Sequence, residues 1–380
     1  MKYRQFGRLN WEVSALGFGI MRLPLSRKDS PAILEQEASS MLRSAIDNGV
    51  NYLDTAWNYH DGESESFLGR ALKGGYREKV RIATKLPTWK IENRDDFDRY
   101  FDEQMKRLQT DCIDFYLLHA LQRDWWDNIR NLGYFDWAEK KLADGTIKHL
   151  GFSFHDTPSL FKRIVDEYDS WTMTLLMYNY MDTEFQAGTE GVKYAADNGL
   201  AVVAMEPLRG GLLAKEPPPS VRRIFKESSI QRTPADWSLQ WLWDKPEIAS
   251  VISGMSTMEQ LQQNITSACD SSIGSMTEYE EEILIKVRGE YRKKAPIPCT
   301  DCRYCMPCPE DVAIPSIFSY FNLSEMYEAP DTARTYYNFL GEQKWASECT
   351  ECGKCMKNCP QHIDIITSLK KAHELLSPAQ

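Results

Sequence analysis

No stretch of the chain approaches the roughly 20 apolar residues that a membrane-spanning helix needs. The opening Met1-Lys2-Tyr3-Arg4-Gln5 begins no run of signal-peptide character either. The expectation is a soluble, cytoplasmic protein with no membrane partner. Basic excess is also lacking: 45 Lys and Arg stand against 55 Asp and Glu, a formal charge of -10. Nucleic-acid binding depends on clustered cations that neutralise phosphates, so no nucleic-acid partner is expected. A G-x-G-x-x-G turn is missing after the first β-rich run, where Gly17-Phe18-Gly19 leads into Ile20-Met21-Arg22, which argues against a doubly wound open sheet. Hydrophobic residues at 42% and charged residues at 26% exclude disorder as a description of the whole.

Cysteine, by contrast, is plentiful and uneven. Of ten, Cys112 and Cys269 stand alone while eight fall between Cys299 and Cys359. Gaps this short suit chelation of a common centre, not a secreted disulfide framework. Cys299, Cys302, Cys305 and Cys308-Pro309 form one string; Cys349, Cys352, Cys355 and Cys359-Pro360 form another, forty residues on. The second has the spacing of the bacterial ferredoxin run, in which three cysteines hold one cluster and the fourth serves its neighbour. On that pattern Cys299, Cys302, Cys305 and Cys359 would hold one [4Fe–4S] cluster, and Cys349, Cys352, Cys355 and Cys308 the other. A single cluster with spare cysteines is one alternative. Zinc in Cys₄ sites is another, although zinc needs neither triplets nor trailing Cys-Pro. Ile317-Phe318-Ser319-Tyr320 and Tyr336-Tyr337-Asn338-Phe339-Leu340, between the strings, predict a mostly helical module.

Upstream, β-rich runs at 14–19, 51–56, 80–86, 113–119, 149–154, 171–178, 200–207 and 248–254 alternate with helical spacing, as at 34–47, 64–72, 94–109, 188–197 and 258–267. Eight strand–helix repeats over some 270 residues match the arithmetic of a (β/α)₈ TIM barrel. The fold class is therefore α/β: a barrel over residues 1–285, followed by a small, mostly helical, ferredoxin-like iron–sulfur domain over 286–380. A linker-like Ser271-Ser272-Ile273-Gly274-Ser275 and a charged helix over 277–291 lie near the boundary. Pro217-Pro218-Pro219 reads as loop, and 3–13 as a hairpin capping the barrel floor.

Catalytic side chains of such barrels project from the carboxyl ends of the strands. Asp54, Tyr59, Lys85 and His119 fall there. Singly, each has a plain reading: a helix cap, a surface aromatic, a solvated lysine, a core histidine. In combination they belong to an ordered set. It runs through Asp54-Thr55-Ala56-Trp57-Asn58-Tyr59, Glu65-Ser66-Phe67-Leu68-Gly69-Arg70-Ala71-Leu72, Thr84-Lys85 and Leu117-Leu118-His119. It continues through Gly151-Phe152-Ser153, Tyr178-Asn179, Glu206-Pro207-Leu208 and Ser253-Gly254 to Asn264. On these motifs the chain resembles the aldo-keto reductases over roughly residues 1–270, in the branch that carries a ferredoxin-like tail.

The resemblance implies an oxidoreductase that uses NADH or NADPH to reduce an aldehyde or ketone, or runs in reverse. The chemistry is coherent on its own terms. Hydride addition leaves an alkoxide that needs a proton donor. Tyr59, as a phenol of ordinary pKa about 10, is expected to be brought down by the neighbouring Lys85 cation. Asp54 would keep Lys85 charged and oriented, and His119 would donate a hydrogen bond to the substrate oxygen.

The resemblance also lays the dinucleotide across the barrel mouth. Gly19, Met21 and Asp54 would lie near the nicotinamide, Ser153 on its carboxamide, and Met205 where many members stack an aromatic. Leu208, Arg209 and Gly210 would follow the pyrophosphate, and Gly254, Gln260 and Asn264 the adenosine end. Phe154 and Leu175 depart from the family, standing where a carboxamide-binding Asn and Gln are usual. Gly254 and Gln260 replace the Lys and Arg common in NADPH users, so NADH is as well suited as NADPH unless cations come from elsewhere. Trp57, Met21, Trp89 and Trp125 lie near enough to the strand ends to line an apolar pocket or simply to pack.

Three readings result. The first is a nicotinamide-dependent reductase of a small carbonyl compound, with attached clusters that are structural, regulatory or partner-facing; a hydride carries two electrons, a cluster one, and no flavin fingerprint is present to convert them. The second is a cluster-fed reductase with a ferredoxin-like electron-transfer partner and weakened nicotinamide binding. The third is a non-catalytic regulatory barrel, against which the intact tetrad argues.

Overall fold

The computed structural model describes residues 1–27 and 30–378. A short antiparallel pair, β1 (Tyr3–Gln5) and β2 (Glu12–Ser14), precedes β3 (Leu16–Gly19), and a second pair follows, β4 (Leu25–Arg27) with β5 (Ser30–Ile33). Then come β6 (Tyr52–Asp54), β7 (Arg81–Leu86), β8 (Ile113–Leu121), β9 (Ile147–Phe154), β10 (Trp171–Met177), β11 (Ala201–Met205) and β12 (Ile248–Gly254). β3 and β6 through β12 close into one barrel in chain order, and the pairing is parallel throughout. These eight strands are the eight predicted from the sequence. The β4–β5 pair is not predicted: its strands are three and four residues long, too short to show an alternating pattern.

The floor is closed by the first hairpin, as expected. Phe6 lies 4.9 Å from Phe115 and 5.1 Å from Trp11, ring to ring, in a cluster with Val13, Tyr52, Leu117, Met173, Leu175 and Val203. Gly7 has φ of +53°, and a Cβ there would stand 2.5 Å from the Ala201 nitrogen. Only glycine lets the hairpin approach that closely.

The chain divides into two compact units, Met1–Leu213 with Arg232–Thr277, and Ala214–Gln231 with the residues from Glu278 onward. The proline run read as loop opens a helix instead, Pro219–Glu227, with Pro219 in the first turn where a missing N–H is tolerated. That helix packs on Glu278–Lys293 within the second unit. There, helices Ile314–Tyr327, Pro330–Phe339 and Ile365–Leu376 pack together, and the Tyr337 hydroxyl meets His373 Nδ1 at 2.7 Å and accepts the Ala346 N–H at 2.9 Å. The tail is helical, as predicted. Among the described residues no helix is long and apolar enough to cross a membrane.

Candidate functional site

The barrel topology gathers the four tetrad residues at one end. Asp54 is the last residue of β6, Lys85 the penultimate of β7, His119 lies near the end of β8, and Tyr59 opens the turn after β6. Lys85 Nζ donates to Asp54 Oδ1 at 2.7 Å, to the Thr55 carbonyl at 2.7 Å and to Tyr59 Oη at 3.3 Å. Both Lys85 and Asp54 are buried. The Tyr59 turn bends through His60 and Asp61, both at φ of 51°, and a hydrogen bond between Thr55 and Ser64 hydroxyls at 2.7 Å ties β6 to the following helix.

A polar network lies behind Lys85. The Glu65 carboxylate accepts from Thr84 Oγ1 and from Gln104 Nε2, both at 2.6 Å. Gln104 Nε2 also reaches the Lys85 carbonyl at 3.1 Å, while its Oε1 accepts the Tyr116 hydroxyl at 2.8 Å. Glu65 and Gln104 thus fix the backbone that presents the lysine. Sequence reasoning missed Gln104, which has no motif around it. Its signal was position: it shares the buried face of helix Asp95–Leu108 with Phe97, Tyr100, Phe101 and Leu108.

Electrostatics follow from burial. Desolvation works against the charge on Lys85, but Asp54 at contact distance and Tyr59 outweigh it, holding the ammonium above its ordinary pKa. The same burial raises Asp54 against the pull of Lys85; an ionised pair is the state that the donor geometry fits. Tyr59 corrects the expectation drawn from sequence. Lys85 does draw its pKa down, yet burial pushes harder, with Asp54 and Glu206 adding to it, and the phenol stays above its usual value. His119 is held well below the ordinary imidazole range, by burial first and then by the charge of Lys85, so it is neutral at working pH. β8 continues two residues past it to Leu121 through a bulge, with Ala120 at φ 54° donating its N–H to Ser153 Oγ at 2.6 Å. Trp89 packs on His119 at 5.0 Å and Trp125 on Trp89 at 6.0 Å. Trp57 is instead engaged by Tyr100 and by the Arg107 guanidinium 3.7 Å from its ring centre.

The residues expected around a dinucleotide also come to this end, some already engaged. Asn264 is buried and donates to Ser253 Oγ at 3.1 Å; Gln260 Oε1 accepts the Ser256 N–H at 2.8 Å. Arg209 pairs with Asp182 at 3.0 Å. Gly19 lies opposite Gly254 across β3 and β12, Met205 ends β11, and Leu208 and Gly210 follow in its loop. Met21 is 54% exposed. Of the two departures, Phe154 packs against Phe161, ring centres 5.2 Å apart, and Leu175 belongs to the barrel core.

In the second unit the two cysteine strings interleave. Cys299, Cys302, Cys305 and Cys359 line one cavity, walled by Ile314, Phe318 and Ile365. Cys308, Cys349, Cys352 and Cys355 line the other, together with Cys305. Burial raises the thiols of Cys299, Cys305 and Cys355, Cys305 to about 11. Metal ligation would need the thiolates, so loading would displace those protons to solvent and couple metal binding to folding of the tail. All eight cysteines are free of disulfides, and eight thiols gathered in two cavities fit iron–sulfur ligation.

Comparison with known proteins agrees with this geometry. A model of the Aldo/keto reductase family matches residues 15–280, and a model of the 4Fe-4S dicluster domain matches 298–363. The chain belongs to the aldo/keto reductase family. It is 28% identical over 297 residues to YqkF of Bacillus subtilis (strain 168), an uncharacterized oxidoreductase, spanning 70% of this chain and 91% of that one. With L-galactose dehydrogenase of Arabidopsis thaliana the identity is 26% over 306 residues, spanning 74% and 93%. The holo form of aldo-keto reductase AKR11C1 from Bacillus halodurans superposes with a TM-score of 0.63 at 25% identity, covering 76% of this chain and 96% of that structure. The chain is thus an oxidoreductase with a C-terminal 4Fe-4S domain; the family implies NAD(P)H use and the tail implies iron–sulfur clusters.

Proposed function

We propose that the protein reduces the carbonyl of a small aldehyde or ketone, or oxidises the corresponding alcohol, with NADH or NADPH and with Tyr59 as the proton donor. One observation carries the reading: the buried Lys85 Nζ bridges Asp54 Oδ1 and Tyr59 Oη at the carboxyl end of the barrel. A bound nicotinamide supplies or receives the hydride. Tyr59 gives its proton to the nascent alkoxide, and Lys85 stabilises the tyrosinate that remains. Asp54 keeps the ammonium charged and aimed. The neutral His119 donates to the substrate oxygen, polarising it before transfer. Buried polar atoms are nearly always paired, and Asp54 Oδ2 and His119 Nδ1 have no partner among the described residues, which fits a mouth completed by ligand. The reading is tested by anaerobic assay: consumption of NADH or NADPH only when an aldehyde or ketone is added supports it, and no consumption with any carbonyl compound contradicts it.

The tail, on this proposal, holds two [4Fe–4S] clusters, ligated by Cys299, Cys302, Cys305 and Cys359, and by Cys308, Cys349, Cys352 and Cys355. Anaerobically purified protein is expected to contain about eight iron and about eight sulfide per chain. About four of each would reduce the assignment to one cluster, and stoichiometric zinc without sulfide would end it. A cluster-fed reductase is the second reading, favoured by the two apolar side chains, Phe154 and Leu175, turned into packing where amide contacts to a carboxamide are usual.

A further inference from the structure

We infer that Arg22 binds a phosphate of the nicotinamide dinucleotide, an inference that rests on the nicotinamide-dependent reading above. Arg22 ends the single 3₁₀ turn, Ile20–Arg22, that follows β3. Its backbone is held in place from two sides. The Ser256 hydroxyl donates to the Arg22 carbonyl at 2.9 Å, and His60 Nε2, next to Tyr59, lies 3.0 Å from the Ile20 carbonyl. The side chain then crosses the neighbouring strand end. A Cβ on Gly254 would meet Arg22 Cβ, Cγ and Cδ at 3.0, 3.2 and 3.4 Å, so the arginine stem occupies the space that a side chain at 254 would claim. Gly254 has no left-handed backbone to require a glycine; what its bare Cα provides is room for Arg22.

The charge so placed reaches the Glu206 carboxylate, beyond the end of β11. Arg22 therefore lies where the first and eighth barrel strands end side by side, with its charge felt at Glu206 beyond the seventh, on the edge along which Gly254, Gln260 and Arg209 are expected to meet the dinucleotide. Among the described residues Arg22 forms no ion pair, whereas Arg209 on the same edge is already tied to Asp182 at 3.0 Å. An exposed guanidinium on a fixed stem, with its fork of donors uncommitted, is suited to a phosphate, which it can grip with two parallel hydrogen bonds. The chain thus supplies from its first strand a cation that Gly254 cannot supply from its eighth.

The test is binding, with no turnover involved. Dissociation constants of NADH and NADPH are measured by protein fluorescence on the full-length, cluster-loaded wild type and on Arg22→Gln. Arg22→Gln is expected to weaken binding by on the order of 10- to 100-fold, the span for loss of a charge-assisted hydrogen bond. An equal loss for both dinucleotides supports the inference through the diphosphate; a loss for NADPH alone supports it through the 2′-phosphate. Wild-type constants unchanged in the variant overturn it while leaving the nicotinamide reading intact. A wild type that binds neither dinucleotide overturns both. Gly254→Val, which displaces the stem, should weaken binding as Arg22→Gln does, and the double variant should be no weaker than either; additive losses would contradict the placement of Arg22 over Gly254.

Discussion

Tyr59→Phe is expected to lower the rate of carbonyl reduction by about 10²–10⁴, the range for loss of a positioned general acid. The ring stays, so its edge contact with His119 at 6.0 Å survives, and the dissociation constant for NADH or NADPH should change little. The pH dependence gives an independent signature. Tyr59 carries its proton below its pKa, which burial raises above 10, and His119 is neutral above its own, which lies well under 6.5. Both groups are therefore in the form that reduction needs across the interval from about pH 6.5 to about pH 10. The wild-type kcat/KM for reduction should be level there, and that of Tyr59→Phe low throughout. Near-wild-type turnover in the variant would remove Tyr59 from the mechanism.

Lys85→Met is expected to damage both stability and catalysis. Removing one partner of a buried ion pair leaves the other uncompensated, typically at about 3–5 kcal/mol. Here Asp54 would lose its 2.7 Å donor at a site where both side chains are buried. The Thr55 carbonyl and Tyr59 hydroxyl lose the same donor. Chemical denaturation under anaerobic conditions measures the loss. Adding Asp54→Asn, which removes the stranded charge, should restore much of the stability but none of the activity. A single variant as stable as wild type would contradict the buried pair; full activity in either variant would contradict its role in the reaction.

The features legible in the sequence were those governed by local pattern. Eight β-rich runs gave the eight barrel strands, because strands buried within a barrel must be apolar over a short, countable length. Asp54, Tyr59, Lys85 and His119 were visible because parallel strands bring their carboxyl ends to one face wherever they lie in the chain. The eight cysteines stood out by their spacing, and each cavity is lined by the set that the ferredoxin pattern would assign to it, with Cys305 lining both. What was hidden depended on contacts between distant residues. The support of Lys85 by Glu65 and Gln104 joins two helices and a strand. The engagement of Arg209 by Asp182 joins two loops. The upward shift of Tyr59 reflects desolvation by the residues that the fold packs around it, which no spacing encodes. The helix Pro219–Glu227 was hidden because three successive prolines read as loop, although the third is well placed to start a helix.

The central claim is that hydride passes directly between nicotinamide and carbonyl at Tyr59. It is tested most directly by isotope transfer. Anaerobically purified, cluster-loaded protein is supplied with NADH or NADPH deuterated at C4 of the nicotinamide, each face in turn, together with a panel of aldehydes and ketones, and the alcohol formed is analysed by mass spectrometry. One deuterium at the carbinol carbon, delivered from one face of the cofactor, is the predicted result. Alcohol carrying no deuterium with either labelled face, or formed only when a one-electron donor is added, would contradict it.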